Sequence, residues 1–173
     1  MHASDSEFNN ERIPLGYLIT FRSYGTWLHG DERGSVDLRN YNRYGTPDMP
    51  ENRKLLADEQ RELRNPAVLL CSAQRSIVKS AIEEACDHRH YALHAVSVRT
   101  NHVHSVVSAA CTPEHVMNSF KAYATRKLLQ ANLLSKGVRP WARHGSTPYL
   151  WTQEEVERAV AYVLYGQGDE PFS

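Results

Sequence analysis

His102-Val103-His104 is the stretch of this chain whose residue types and spacing can do the most chemistry. Strand side chains alternate with period two, so His102, His104 and Val106 share one face, while Val103, Ser105 and Val107 share the other. Neutral imidazoles are good ligands for a divalent ion, and two from one strand leave coordination positions open for a substrate. Such a pair also arises by chance on strand surfaces. Tyr123 is the second candidate. Met117, Phe120, Ala124, Leu128 and Ala131 recur at helical spacing and make one apolar stripe, and Tyr123 falls at its edge beside Ser119, Arg126 and Gln130. A tyrosine placed there can bury its ring and wet its hydroxyl with no chemical duty. It can also be a nucleophile toward a phosphate. A phenol with a pKa of roughly 10 is mostly protonated at neutral pH, and Lys121, Arg126 and Lys127 nearby would favour the phenolate.

Net charge is zero, but its distribution is uneven. No acid occurs between Glu114 and Glu154, a span that holds Lys121, Arg126, Lys127, Lys136, Arg139 and Arg143. Such a stretch can follow a phosphate backbone or be a solvated helix face. At 173 residues the chain suits one domain that buries roughly two-thirds of its unfolded surface. No apolar run is long enough to span a membrane, and the polar, acidic start does not resemble a signal peptide. Cys71, Cys86 and Cys111 are widely spaced and form no metal or disulfide pattern, which points to a reducing cytoplasm.

The elements that must position these residues are legible in outline. Tyr17 to Arg22 reads as a first strand. Residues 23–72 form a long excursion with several glycines and a helix expected from Pro50, carrying Leu55, Leu56 and Leu63. Ser72 is placed to cap a helix with Val78, Ala81, Ile82 and Ala85 on its apolar side. Tyr91–Val98 and His102–Ser108 read as a hairpin about Arg99-Thr100-Asn101. Thr112 and Pro113 open a helix expected to reach about Leu134. Tyr149-Leu150-Trp151 suits a short final strand, and Thr152 with Glu155 is a capping-box pattern ahead of Val156, Val160, Val163 and Leu164. The order predicts an α+β, ferredoxin-like fold: a four-stranded antiparallel sheet with helices on one face, a long insertion after the first strand and an appended C-terminal helix. Residues 13–168 form the expected single domain, with 1–12 and 169–173 as tails.

Asn101-His102-Val103-His104 on a hairpin strand, Ser119-Phe120-Lys121-Ala122-Tyr123 on the next helix, and an opening strand running into Gly25-Thr26-Trp27-Leu28 together resemble the single-tyrosine HUH transposases of small insertion sequences. Among these the chain looks similar to the REP-associated tyrosine transposases, from about Tyr17 to Gly168. The resemblance implies that His102 and His104 bind Mg²⁺ or Mn²⁺, which acts on the scissile phosphate as a Lewis acid. It also implies that Tyr123 attacks that phosphate to give a 5′-phosphotyrosine link, from which another 3′-hydroxyl can reseal the strand. The expected substrate is single-stranded DNA next to a hairpin, in the cytoplasm. Arg99, Lys121, Arg126, Lys127, Arg143 and His144 are candidates for backbone contact, and Trp141 for stacking on unpaired bases. The family includes monomers and dimers, so a homodimer is an admissible partner.

One residue departs from the family pattern. A third, amide-type metal ligand commonly follows the tyrosine by one helical turn, and Lys127 stands there. Gln130, two turns along, and His144 are the other candidates for that ligand. The departure supports a rival reading, a domesticated hairpin-DNA-binding protein that no longer cuts; the presence of His102, His104 and Tyr123 together opposes it. Histidine-triad hydrolases need a further alternate histidine where Val106 stands. The HxH of amidohydrolase barrels needs a chain of roughly 250 residues. Replication initiators and relaxases use the same chemistry on a larger framework, and a purely structural protein is the residual alternative.

Overall fold

The first strand is buried at consecutive positions because both of its faces are covered. In the computed structural model, which describes residues 13–26 and 66–166, β1 spans Gly16–Ser23. There follow α1 (Ser72–Arg89), β2 (Ala92–Val98), β3 (His102–Ser108), α2 (Pro113–Gln130), β4 (Trp141–Ser146), β5 (Tyr149–Leu150) and α3 (Gln153–Tyr165). The expected tails, the helix near Pro50 and most of the 23–72 excursion lie outside the described residues. The two ends of that excursion come together, with Val68 N–H donating to Tyr24 O at 2.8 Å and Leu70 N–H to Thr100 O at 2.7 Å.

The sheet is antiparallel in the order β2-β3-β1-β4, with β5 pairing β1 beside β4. The described residues form the expected α+β arrangement, an antiparallel sheet with three helices. Strands β4 and β5 share one edge of β1. Between them Pro148, which has no N–H to give, offers its carbonyl to Leu18 N–H at 3.0 Å. Strand β4 adds a strand ahead of the one expected at Tyr149-Leu150-Trp151.

Two apolar clusters divide the sheet. Tyr17, Ile19, Phe21, Val103 and Val107 face α1 and α2, which contribute Val78, Ala81, Ile82, Ala85, Met117, Phe120, Ala124 and Leu128. The opposite face is covered by α3, whose Val156, Ala159 and Val163 pack on Leu18, Ala95, Val106 and Leu150. The appended helix therefore closes the second face of the sheet.

Local signals set the helix boundaries. Helix α1 begins at Ser72 itself and its cap lies one residue before the expected one: Gln74 Oε1 accepts from Cys71 N–H at 2.8 Å, making Cys71 the cap residue. The extended backbone of Thr112 and Pro113 at the first position start α2. That helix stops at Gln130, short of Leu134, because Asn132 takes a left-handed φ of 56° and Leu133 N–H turns back to Leu128 O. Ala131 consequently leaves the predicted apolar stripe and is exposed. The Thr152 capping box forms as expected, with Glu155 N–H donating to Thr152 Oγ1 at 3.2 Å and Thr152 N–H to Glu155 Oε2 at 3.1 Å.

Candidate active site

The residues facing α3 form rows across the strands. Register places Leu18 opposite Val106, Thr20 opposite His104 and Arg22 opposite His102 on β1 and β3, with Ser97 of β2 on the other side of His104. The row of Leu18 and Val106 is roofed by the valines of α3, and beyond that roof the rows turn polar. His104 is buried, 7% exposed, while His102 is half-buried. Their rings stand 4.6 Å apart, centroid to centroid, inclined at 74°.

Both imidazoles are held through the same atom. His102 Nδ1 lies 2.6 Å from Asn101 Oδ1, and His104 Nδ1 lies 2.7 Å from Thr20 Oγ1. With Nδ1 engaged in each ring, Nε2 is the nitrogen that would ligate a metal. Two imidazoles on one face, each oriented by a neighbour, are a donor set that fits a borderline divalent ion. Among the described residues no group of three or more His, Cys, Asp or Glu side chains gathers to complete such a site, so any further ligand from these residues would be an amide, a hydroxyl or water.

The tyrosine beside this pair is Tyr162. It projects from α3 one residue before the buried Val163, and its ring centroid lies 5.6 Å from that of His104, inclined at 78°. It remains 43% exposed. Tyr162 is not among the residues singled out from the sequence. The available signal was its place on a capped amphipathic helix, one turn from the buried Ala159 and next to Val163.

Tyr123 is elsewhere. It sits in the layer of α1 and α2, packed at the edge of the cluster on the other sheet face, with its hydroxyl 3.4 Å from His88 Nδ1 and Arg126 4.4 Å over its ring. The physical reason is the side of the sheet that α2 covers. Its apolar stripe is buried against Phe21 and Val103, which point away from His102 and His104. Gln130 belongs to the same helix and is equally far from the pair's face.

Three of the six cations of the basic stretch are committed to structure. Lys127 makes a close ion pair with Glu84 across α1 and α2, with Arg126 at 4.0 Å from the same carboxylate. Lys127 holds the Glu84 carboxyl below the ordinary carboxylate range. Lys121 turns inward and donates to the carbonyls of Ala142, Arg143 and His144 at 3.0, 3.4 and 3.2 Å, with Phe21 beneath it. Burial pushes its ammonium down to about 8.

Trp141, expected to stack on bases, is only 8% exposed. Its Nε1–H is shared between Lys121 O and Thr125 Oγ1, each at 3.1 Å, and its ring meets Phe21 edge-on at 5.1 Å. It is a core residue because β4 pairs with β1 and turns it inward. Arg143 and His144 do remain exposed on β4. Arg99 flanks the candidate site, its backbone N–H donating to His102 O at 2.8 Å. Arg22, directly across the ladder from His102, was not among the sequence candidates.

Residues 64–153, just over half of the chain, match the family described as transposase IS200-like, and the chain belongs to that family. Helix α3 lies almost wholly beyond the matched span. No curated protein matches the chain in sequence. Among solved structures it is similar to that of a REP-associated tyrosine transposase bound to a REP hairpin, at a TM-score of 0.50 and 13% identity, covering 94% of this chain and 72% of that one. At that identity the similarity establishes a common fold. No helix among the described residues is long and apolar enough to cross a membrane.

Proposed function

We propose that this transposase-family chain cleaves and rejoins single-stranded DNA through a phosphotyrosine intermediate, with Tyr162 as nucleophile. The observation that carries this reading is the approach of Tyr162 to His104 on the sheet face that also holds His102. In the proposed step the Tyr162 hydroxyl oxygen bonds to the scissile phosphorus, and the bond from phosphorus to the 3′-oxygen breaks. The phenol proton passes to solvent and the departing 3′-oxygen takes one up, leaving a 5′-phosphotyrosine and a free 3′-hydroxyl. A divalent ion, Mg²⁺ or Mn²⁺, held by His102 and His104 would supply Lewis-acid stabilisation of the phosphate.

The chain's own groups do the rest. Arg22 and Arg99, flanking His102, are proposed to hold the phosphates on either side, with Arg143 and His144 extending the contact along β4. DNA beside a hairpin is the proposed substrate, in keeping with the hairpin bound by the structurally similar transposase. Because one chain brings its own tyrosine to its own histidine, a second copy is not needed to assemble the pair. Lys127 is bound up with Glu84 in the other layer, so the departure at that position no longer argues for a non-cleaving protein.

The test is covalent capture. Single-stranded oligonucleotides ending in a hairpin, drawn from the DNA flanking the gene, are incubated with Mn²⁺ and resolved on denaturing gels. The parent and Tyr123→Phe should form a protein–DNA adduct, and Tyr162→Phe should form none while still binding the DNA. An adduct that survives in Tyr162→Phe and disappears in Tyr123→Phe would overturn the assignment. Tight hairpin binding with no adduct in any variant would instead establish the non-cleaving binder.

A further inference from the structure

We infer that Asn101 and Thr20 are positioning residues that fix the tautomer and orientation of His102 and His104, so that both rings present Nε2 to a metal. The inference deepens the proposed function and rests on its reading of the pair as ligands. An amide oxygen can only accept, so a 2.6 Å contact between His102 Nδ1 and Asn101 Oδ1 requires the proton on Nδ1. A neutral imidazole protonated there has its lone pair at Nε2. Asn101 is the residue immediately before His102, so the hairpin turn carries its own orienting group.

His104 is treated differently in chemistry and alike in outcome. Its Nδ1 lies 2.7 Å from Thr20 Oγ1, and a hydroxyl can either accept or donate. Antiparallel pairing puts Thr20 directly across from His104, so the distance is set by the ladder and not by a flexible side chain. If Thr20 accepts, both rings carry the same tautomer, with the lone pair on Nε2. Conversely, a donating Thr20 would put the proton on Nε2 and remove His104 as a ligand. The inference therefore includes an assignment: Thr20 Oγ1 accepts from His104 Nδ1–H. Orienting contacts of this kind typically contribute a factor of about 10 to 100 in metal affinity.

Variants that remove each contact should preserve the fold. Thr20→Val keeps the branched shape that a strand favours. Asn101→Ala keeps the carbonyl that accepts from Ser23 N–H at 2.9 Å, and Asn101 does not have a left-handed backbone that alanine would strain. Two readouts apply. Long-range ¹H–¹⁵N spectra of the metal-free protein near pH 8 report which ring nitrogen carries the proton, and calorimetric titration with Mn²⁺ reports affinity. The parent should show Nδ1–H on both rings. Asn101→Ala should mix the tautomers of His102 alone, and Thr20→Val those of His104 alone, each weakening Mn²⁺ binding about 10- to 100-fold. Thr20→Ser should restore both properties.

A parent with Nε2–H on either ring, or variants with unchanged tautomers and affinity, would overturn the inference while leaving the nucleophile assignment intact. A parent that binds no Mn²⁺, but whose Nδ1–H tautomers are scrambled by the variants, would support the positioning role and defeat the metal reading of the pair.

Discussion

Helix α3 should be the most easily detached element of the described fold, and Val163→Ala measures how firmly it holds Tyr162. The helix has 13 residues, a length at which an isolated helix is marginal in water. Its hold on the sheet rests on Val156, Ala159 and Val163, with Val160 partly buried beside them. Two buried valines and an alanine amount to about 4 to 6 kcal/mol of gross burial, before the entropy of ordering is subtracted. Val163 is only 1% exposed. Truncating it removes two methyl groups at about 0.8 kcal/mol each and leaves a small cavity, a loss of about 2 kcal/mol. Native-state hydrogen exchange reads this directly. Amides of α3 should exchange about 30-fold faster, since each 1.4 kcal/mol is about tenfold, while those of α1 and α2 stay within about twofold. A helix held by several kcal/mol stays mostly docked after losing two, so covalent capture by Val163→Ala should fall little. The pair Val156→Ala and Val163→Ala, at about 4 kcal/mol together, should release the helix and abolish capture. Acceleration spread evenly over all three helices would refute the reasoning, because α3 would then open only when the whole domain does. Undiminished capture by the double variant would refute it as well, by showing that docking of α3 does not place the nucleophile.

Gly145→Ala should destabilise the chain by about 2 to 3 kcal/mol in urea unfolding. A methyl there meets Met117 Sδ at 2.5 Å and the carbonyl oxygen of Thr20 more closely still; the sulfur can yield, but the carbonyl belongs to β1. A loss below about 0.5 kcal/mol would contradict the described pairing of Phe21 with Gly145. Lys121 gives a pH dependence. Its folded value of about 8 lies below its ordinary 10.5, so the unfolded chain binds the extra proton between them and the lysine's contribution to stability rises with pH across that window. Allowing for the solvent that reaches it, that contribution should rise by roughly 1 kcal/mol. The sign is opposite for groups that burial raises: the Cys86 thiol, pushed up from 9.0 to about 12, and above about pH 10 the phenols of Tyr17, Tyr91 and Tyr149. The lysine is therefore read as the difference between the parent and Lys121→Met in denaturant melts from about pH 7.5 to about 9.5, a difference that should favour the parent increasingly as pH rises.

Most of the framework was readable because its signals are local. The capping box at Thr152, the proline start of α2, the valine-rich hairpin and the apolar stripe of α1 depend on residues within a few positions of one another. Strand β4 was not readable for the opposite reason. Trp-Ala-Arg-His-Gly-Ser has no alternation and only two apolar residues at its start, and it becomes a strand through pairing with β1 and through Lys121, which gathers three of its carbonyls from a helix some twenty residues earlier. That one tertiary arrangement also decided Trp141. An aromatic in a basic loop looks like a base-stacking group, but the same residue on a strand facing Phe21 is core.

The choice between two tyrosines shows where periodicity stops being informative. Tyr123 and Tyr162 stand in similar local settings, each at the margin of a helix's apolar stripe with its hydroxyl able to reach water. Helical spacing says which side of the helix goes inward. It cannot say which of two sheet faces that side will meet, and with period-two alternation along β3 the two faces carry different chemistry: valines and a serine on one, His102 and His104 on the other. The larger cluster needs the two 18-residue helices α1 and α2, whose large side chains fill the space over Phe21 and Val103. The shorter α3 covers a smaller apolar patch, and the polar rows begin where its valines end. The helix whose apolar side stops short of the histidine row is the one that sets its tyrosine beside His104.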